Sequence, residues 1–219
     1  MEEKHKSDTF YISILLVIVG GFLDAYSYLC RGRVFANAQT GNIVLLGVKL
    51  IDGDIKAAIY YIWPILAFIV GIFVAEIIKD HFLEHHALHW KQIVLAFEVI
   101  ILFLAAFIPQ QYNMLCNISI SFVCALQFQS FKKFKDNPYA STMCTGNLRT
   151  GTELLYKYFQ TKEKKTLNKS LQYYIIILFF ILGACFGAVS TLYLSNYAII
   201  LTSILLMIVI ITMKLNKDV

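Results

Sequence analysis

The stretch AAIYYIWPILAFIVGIFVAEIIK, residues 57–79, decides the class of this protein. It is apolar except near its end, and about 20 such residues in a helix are enough to cross a bilayer. Further blocks have the same character, and they lie at residues 10–29, 91–108, 113–131, 170–193 and 196–213. The sequence therefore predicts an all-α membrane protein with about six transmembrane helices, forming a single domain over residues 1–219.

The composition of the whole chain supports this class. Hydrophobic residues make up 58% and charged residues 15%, and the mean hydropathy is +0.66, whereas a soluble domain carries about 25% charged residues. The five cysteines are odd in number and show no C-x-x-C spacing. Most lie in apolar segments, where a thiol behaves as a small hydrophobic group. The sequence therefore predicts neither a disulfide framework nor a thiolate metal site.

The placement of positive charge predicts how the chain crosses the membrane. With six crossings, the outer side receives four of the 19 Lys and Arg residues: Arg31, Arg33, Lys49 and Lys56. Because Lys and Arg concentrate on the cytoplasmic side of membrane proteins, both termini are predicted to be cytoplasmic. The two arginines are interpreted as interfacial anchors. The basic run 157–169 is interpreted as a loop beside the membrane, and no nucleic-acid partner is expected.

The triplet Thr-Gly-Asn occurs twice, as Thr40-Gly41-Asn42 and as Thr145-Gly146-Asn147, and each copy follows a long apolar block. When the two triplets are aligned, their flanking residues align as well. The sequence therefore predicts two repeats, residues 10–108 and 113–213. Each repeat holds three spans, and an odd number of spans reverses the second copy, so the repeats are inverted as in many transporters.

Two shorter segments fall outside the six spans. The apolar run 37–50 reaches about 21 Å as a helix, short of a ~30 Å hydrocarbon core, and segment 140–158 carries Arg149 and Glu153. Both segments are interpreted as half-membrane helices, one entering from each side. The alternative is that both cross fully, which gives four spans per half and parallel repeats but places many lysines outside.

The triplets indicate where a ligand binds. A helix N-terminus leaves backbone N–H groups unpaired, and non-helical backbone inside a bilayer is tolerated only where it is buried in protein or lines a wet cavity. Two helix starts that meet near the midplane predict a site for a small polar or anionic solute. Its predicted residues are Thr40, Gly41, Asn42, Thr145, Gly146 and Asn147. The alternative is that the triplets are polar joints between packed helices.

Ionisable residues within the apolar segments add candidates for coupling and gating. Asp24 lies inside the first span and Glu98 inside the third. Side chains of this kind are costly at such depth and face a cavity or a partner, so both are candidates for binding a proton or an ion. The alternative is a neutral or hydrogen-bonded carboxyl. Arg149 and Glu153 are spaced i, i+4, and they form a candidate gate or simply neutralise each other.

The sequence carries no signature of an enzyme. It contains no G-x-S-x-G motif, no H-E-x-x-H motif and no cluster of acids, so no catalytic residue and no cofactor is expected. Histidine pairs on a helix can bind a metal ion, but no other metal signature accompanies the histidines between the second and third spans. They are interpreted as solvated side chains, and they are His81, His85, His86 and His89.

Two pairs of short segments have a recognisable sequence. The first pair is GGFLDAYSY at 20–28 with AQTGNIVLLG at 38–47, and the second is ALQFQS at 125–130 with STMCTGNLRTG at 141–151. They resemble the YoaK family of bacterial multi-pass membrane proteins, which is grouped as a domain of unknown function. The resemblance implies a cell-membrane location and about six spans, but no substrate. It also implies conserved positions at Asp24, Thr40, Gly41, Asn42, Thr145 and Gly146. The family often has Gln-Asn-Ala where this chain has Gln127-Phe128-Gln129.

These features together predict a transporter or channel for a small polar or anionic solute, embedded in the lipid bilayer. Because a six-span chain is small for alternating access, a homodimer is expected. One alternative is a non-transporting scaffold or sensor subunit. The other is a membrane-embedded enzyme, which needs a nucleophile or a metal cluster in the spans.

Overall fold

The computed structural model of the protein describes residues 10–82, 90–131, 133–134, 137–138 and 144–215. The described chain is almost entirely helical, as predicted. Its α-helices are α1 (Phe10–Cys30), α2 (Gln39–Ile51), α3 (Ile55–Phe82), α4 (Trp90–Ala105), α5 (Asn113–Ser130), α6 (Cys144–Thr161), α7 (Lys164–Leu194) and α8 (Ile200–Leu215). Two strands of two residues each, β1 (Lys133–Phe134) and β2 (Asn137–Pro138), pair antiparallel between α5 and α6.

The helices have the length and the surface of a membrane protein. Within the described residues, three stretches are long and apolar enough to cross a bilayer: Tyr11–Cys30, Ile55–Phe82 and Lys164–Leu215. The last contains both α7 and α8, and α2 is a shorter apolar helix. Large hydrophobic side chains face outward, such as Ile77 at 64% and Leu192 at 78% exposure. An apolar surface of this kind marks contact with lipid or with another protein.

Helix α1 runs through the interior of the bundle and packs along α7. Glycines bring the two backbones together, because a Cβ added at Gly187 falls 2.7 Å from the carbonyl oxygen of Phe22, and Gly183 lies against Ile18. Later residues of α7 contact later residues of α1, since Gly183 lies against Ile18 and Gly187 against Phe22. The two helices are therefore parallel. Small residues at this spacing allow close helix approach in lipid, where dispersion contacts between backbones replace the missing hydrophobic force.

Helices α3 and α5 form a second parallel pair of the same kind. Gly71 provides the close approach, since a Cβ added there falls 2.6 Å from the Cβ of Ala125. At one end of the pair, the Asn117 side-chain amide donates a 3.2 Å hydrogen bond to the Tyr60 hydroxyl. At the other end, the amide of Gln129 binds the carboxylate of Glu76.

The remaining contacts follow one scheme in both halves of the chain. The short helices pack on the helices that follow them, α2 on α3 and α6 on α7. Helix α4 packs against α5, and α8 packs against α1. The last helices of the two halves also meet, with a 3.3 Å hydrogen bond from the Ser203 hydroxyl to the carbonyl oxygen of Val99.

One element differs from the prediction. The basic run 157–169 is helical rather than a loop, because α6 continues to Thr161 and α7 begins at Lys164. Lys, Glu and Gln in this run all have good helix propensity. The chain reverses at Lys162, whose φ of 55° places it in the left-handed region. The residues form a tight hairpin of two helices with its basic charge near the turn.

Candidate functional site

The segment between α1 and α2 turns back toward the middle of the bundle. The side-chain amide of Asn37 donates a 3.3 Å hydrogen bond to the carbonyl oxygen of Gly20, halfway along α1. The amide of Gln39 donates a 3.2 Å hydrogen bond to the Ser121 hydroxyl, halfway along α5. Helix α2 therefore begins between the centres of two long helices rather than at one face of the bundle.

The first triplet lies at this internal helix start. The side chain of Asn42 is fully buried, and its amide nitrogen donates a 2.9 Å hydrogen bond to Gln39 and a longer one of 3.5 Å to the carbonyl oxygen of Phe35. Its Oδ1 atom is buried without a hydrogen-bond partner. Thr40 is exposed, and Gly41 lies beside the ring of Phe35. Of the triplet, Asn42 is the residue aimed into the protein.

Asp24 lies directly against the start of α2. Its side chain is 8% exposed, and its carboxyl group faces the backbone N–H groups of Asn37 and Ala38 and the Asn37 side-chain amide. The Oδ1 atom of this carboxyl has no hydrogen-bond partner. Ser27 links α1 to the segment before α2. Its hydroxyl donates to the backbone oxygen of Asp24 and accepts from the N–H of Ala36, both at 3.2 Å.

The second triplet opens α6, and its start also lies near Asp24. The thiol of Cys144, the first residue of α6, is close enough to interact electrostatically with the Asp24 carboxyl. Asn147 is buried at 3% exposure, whereas Thr145 and Gly146 are exposed. The two short helices do not pack along each other, because each contacts mainly the long helix that follows it. Asp24 therefore faces the start of α2 and lies within electrostatic range of the start of α6.

Helix α6 is fixed in position by its contact with α7. The Ser170 hydroxyl donates a 2.7 Å hydrogen bond to the carbonyl oxygen of Gly151. A Cβ added at Gly151 would fall 3.0 Å from the Cβ of Tyr173. Gly151 thus allows α6 to approach α7 closely, and this contact holds the helix start that carries Asn147.

Glu98 is the second buried carboxyl of the region. It is 0% exposed in α4, and neither of its carboxyl oxygens has a hydrogen-bond partner. The thiol of Cys124 in α5 interacts electrostatically with both Asp24 and Glu98, so both acids lie within electrostatic range of that thiol. The predicted role of these acids in binding a proton or an ion stays a prediction.

Arg149 and Glu153 form the ion pair that their spacing suggests, with 2.8 Å between Nε and Oε1. Their side chains are 77% and 61% exposed. The pair lies on the outer side of α6, away from the buried Asn147. Pairs this exposed contribute about 0–1 kcal/mol, and the role of a gate stays a prediction.

Arg31 is a buried residue whose role the sequence did not reveal. It was expected at the interface, but it is 0% exposed. Its guanidinium group donates to the Tyr26 hydroxyl at 2.8 Å and to the carbonyl oxygens of Ile108 at 2.7 Å and Ala105 at 3.3 Å. Ala105 is the last residue of α4 and Ile108 lies three residues beyond it, where carbonyl oxygens lack the donors of a continuing helix. Arg33 is exposed, as expected.

Sequence reasoning also missed the residues that support the site. Asn37, Gln39 and Ser121 hold the start of α2 in the interior, yet none of them belongs to a repeated string. A single polar residue in a connecting segment does not indicate in sequence which helix it will meet. In the described part of the chain, no group of three or more His, Cys, Asp or Glu residues is placed to hold a metal ion. Of the four histidines, His81 is exposed, and the others lie outside the described residues.

A separate groove on the surface is apolar. It lies between α3 and α5, has a volume of about 450 Å³, and is lined by side chains such as Trp63, Val70, Ile118 and Phe122. In a bilayer, a groove of this composition contacts lipid chains. It differs in chemistry from the polar region around Asp24.

The comparisons with known proteins agree with this architecture. The model of the family described as "Protein of unknown function (DUF1275)" matches residues 12–212. The chain is 28% identical over 215 residues to UPF0700 transmembrane protein YoaK of Bacillus subtilis (strain 168), covering 92% of each chain. No solved structure matches the chain. With its helical membrane architecture and a family match over nearly its whole length, the chain belongs to the DUF1275 family.

Proposed function

We propose that this protein is a transporter or channel for a small polar solute, and not an enzyme. The proposed site is the region where α2 and α6 begin, with Asn42 and Asn147 in contact with solute and Asp24 between them. The main support for this site is that Asp24 faces the start of α2 and interacts electrostatically with Cys144 at the start of α6. Non-helical backbone and ionisable side chains at this depth are energetically unfavourable in a bilayer unless they line a cavity or contact a protein partner.

The helix contacts support an inverted-repeat architecture with six spans and two half-membrane helices. The first helix of each half packs on the third helix of the other half, α1 on α7 and α5 on α3. At the end of α1, Arg31 donates a 3.4 Å hydrogen bond to Asn113 at the start of α5. The second copy thus begins at the face where the first helix of the first copy ends, as expected when the copy is reversed.

The path of the chain supports a half-membrane arrangement for α2. The chain leaves α1 beside Arg31, descends to Gly20 through the Asn37 contact, and then rises along α2. Helix α3 begins beside the same face, because a Cβ added at Gly32 would lie 3.3 Å from the Tyr60 hydroxyl. The segment from α1 to α3 therefore enters the bundle and leaves it on one side.

We place the protein in the bacterial cell membrane with both termini in the cytoplasm. Lys157, Lys162, Lys164 and Lys165 lie at the α6–α7 hairpin, and Lys79 lies toward the end of α3. These positions are on the side opposite to Arg31, and the positive-inside rule assigns that side to the cytoplasm. A homodimer is proposed as the working unit, since one copy is small for alternating access.

The direct test is solute movement in proteoliposomes that contain the purified protein, measured across a panel of metabolites and ions. The wild type is expected to move at least one solute. Asn42→Ala and Asp24→Asn are expected to reduce that movement at least tenfold. Gln160→Ala is the matched control, because it removes an exposed polar side chain far from the proposed site.

The outcomes separate the candidate functions. Movement that is unaffected by both site variants contradicts the proposed site. If no solute moves although the protein is monodisperse and folded, transport is contradicted, and the scaffold or sensor role becomes the better account of the buried triplets.

A further inference from the structure

The buried polar atoms that lack a partner share one property. In the described part of the chain, every such side-chain atom is an oxygen, and none is a nitrogen. Three of them lie around the start of α2, namely Oδ1 of Asp24, Oδ1 of Asn37 and Oδ1 of Asn42. Their side chains are at least nine-tenths buried, at 8%, 2% and 0% exposure. A buried acceptor without a donor costs about 1–3 kcal/mol, so these three oxygens favour a bound group that supplies a donor or a positive charge.

The orientation of the two amides is fixed by their surroundings. The nitrogen of Asn37 donates to the carbonyl oxygen of Gly20, and the nitrogen of Asn42 donates to the Gln39 side-chain oxygen. Gln39 is itself held with its nitrogen toward the carbonyl oxygen of Ala36 and the Ser121 hydroxyl. Turning either asparagine over would set an oxygen against an oxygen. In each amide, the oxygen is therefore the atom that has no hydrogen-bond partner.

The balance of charge decides between an anion and a cation. The starts of α2 and α6 each contribute roughly half a positive charge. An ionised Asp24, which faces the first and interacts with the second, cancels both. Glu98, which also interacts with the Cys124 thiol, adds a further negative charge when ionised. The local charge therefore sums to between about zero and −1. No net positive charge remains to bind an anionic ligand.

We infer that Asp24, Asn37 and Asn42 supply oxygen ligands for a sodium ion at the start of α2. This inference rests on the proposed function, in which it assigns a cation rather than an anion to the site. Carboxylate and amide oxygens are hard ligands that suit hard cations. With both acids ionised, the local sum of about −1 balances a single positive charge, whereas a divalent ion would need further negative charge.

The test measures sodium binding directly, without requiring transport. The purified full-length protein in nanodiscs is titrated with radioactive ²²Na⁺ at constant ionic strength, with choline as the replacement cation. The wild type is expected to bind Na⁺ saturably, and an excess of choline is expected to leave this binding unchanged. Asp24→Asn is expected to weaken the affinity at least tenfold, and Asn42→Ala at least threefold. Ser130→Ala is the matched control, because it also removes a buried oxygen without a partner, but at the end of α5.

Each result supports or overturns the inference. No saturable binding above empty nanodiscs, or equal binding by wild type and Asp24→Asn, overturns the sodium site. If Asp24→Asn fails to give monodisperse protein, Asn42→Ala decides, and wild-type affinity in that variant overturns the site. Solute movement without sodium binding leaves the proposed function standing and removes only the sodium site. Sodium binding without any solute movement supports the sodium site and contradicts the proposed transport function.

Discussion

The guanidinium group of Arg31 donates a 2.7 Å hydrogen bond to the carbonyl oxygen of Ile108, which joins the end of α1 to the end of α4. Asn113 accepts from the same nitrogen at 3.4 Å, and the Asn117 amide donates to the backbone oxygen of Arg31 at 2.9 Å. The ring of Tyr26 lies 5.5 Å from the guanidinium carbon. One buried cation therefore holds the ends of α1 and α4 and the first turns of α5 in a fixed arrangement.

Arg31→Lys is expected to destabilise the protein by roughly 2 kcal/mol, because a single ammonium group cannot reach all the acceptors of a planar guanidinium. Arg33→Lys is the matched control, since Arg33 is exposed two positions away, and its effect is expected within about 0.5 kcal/mol. Thermal unfolding in detergent measures both. Equal shifts of the unfolding midpoint would show that the buried hydrogen bonds do not stabilise the fold.

Arg31 also shows which part of the fold could not be predicted from the sequence. The apolar blocks predicted helices close to their observed positions, because hydropathy and length together limit where a membrane helix can lie. An arginine at the end of such a block is normally an interfacial anchor. Whether it turns inward depends on the carbonyl groups of α4, and that contact exists only in the folded structure. The start of α7 at Lys164 was missed for a related reason, since polar helical residues continue beyond the apolar block.

Gly187→Ala is expected to destabilise the protein by about 1–3 kcal/mol. The new Cβ would lie 2.7 Å from the backbone oxygen of Phe22 and 2.8 Å from its Cα, so α7 would have to move away from α1. Gly47→Ala provides the comparison, because nothing lies within 4 Å of a Cβ at that position in α2. There the better helix propensity of alanine is expected to be neutral or to stabilise by up to about 1 kcal/mol.

The unfolding midpoints of these two variants decide whether close packing of α1 on α7 matters. A smaller loss for Gly187→Ala than for Gly47→Ala would contradict the close approach. Circular dichroism should show unchanged helix content for both variants, because the difference lies in the packing between helices.

The candidate site was predictable in part. The repeated triplets led to Asn42 and Asn147, because an unusual polar string beside membrane-type sequence stands out. The residues that make the region a site, above all Asn37, came only from the structure. They act through contacts between distant elements, as when Asn37 meets Gly20, and such contacts leave no periodic signal in one sequence. The helix dipoles alone favour a polar or anionic solute, and only the folded structure shows that the Asp24 carboxyl faces the start of α2.

Labelling of single cysteines tests the direction of the repeats. Gln110→Cys and Gln160→Cys are placed at exposed positions, in a background in which Cys144 and Cys185, which are not buried, are alanine. In intact cells, a membrane-impermeant maleimide is expected to label position 110. Position 160 is expected to react only after permeabilisation, because it lies in the basic α6–α7 hairpin. Labelling of both positions from one side would contradict the inverted arrangement and favour parallel repeats.

The reactivity of Cys144 tests whether water and cations reach the region around Asp24. In a Cys185→Ala background, Cys144 is the remaining cysteine that is not buried. The purified protein in nanodiscs is treated with thiosulfonate reagents of similar size that carry either a positive or a negative charge. The cationic reagent is expected to modify Cys144 about threefold faster or more, because one nearby unit charge changes the local ion concentration by about that factor. Mass spectrometry of the intact protein follows the reaction.

Asp24→Asn removes that charge while keeping the shape of the side chain, so the ratio of the two rates is expected to fall to one or below, because the helix dipoles are then unopposed by Asp24. Cys124 serves as the internal control, because its burial at 2% exposure should keep it unmodified by either reagent. A wild-type ratio of one would mean that Asp24 carries no charge accessible from the start of α6. If neither reagent modified Cys144, water would not reach this helix start, and the proposed solute path would be excluded.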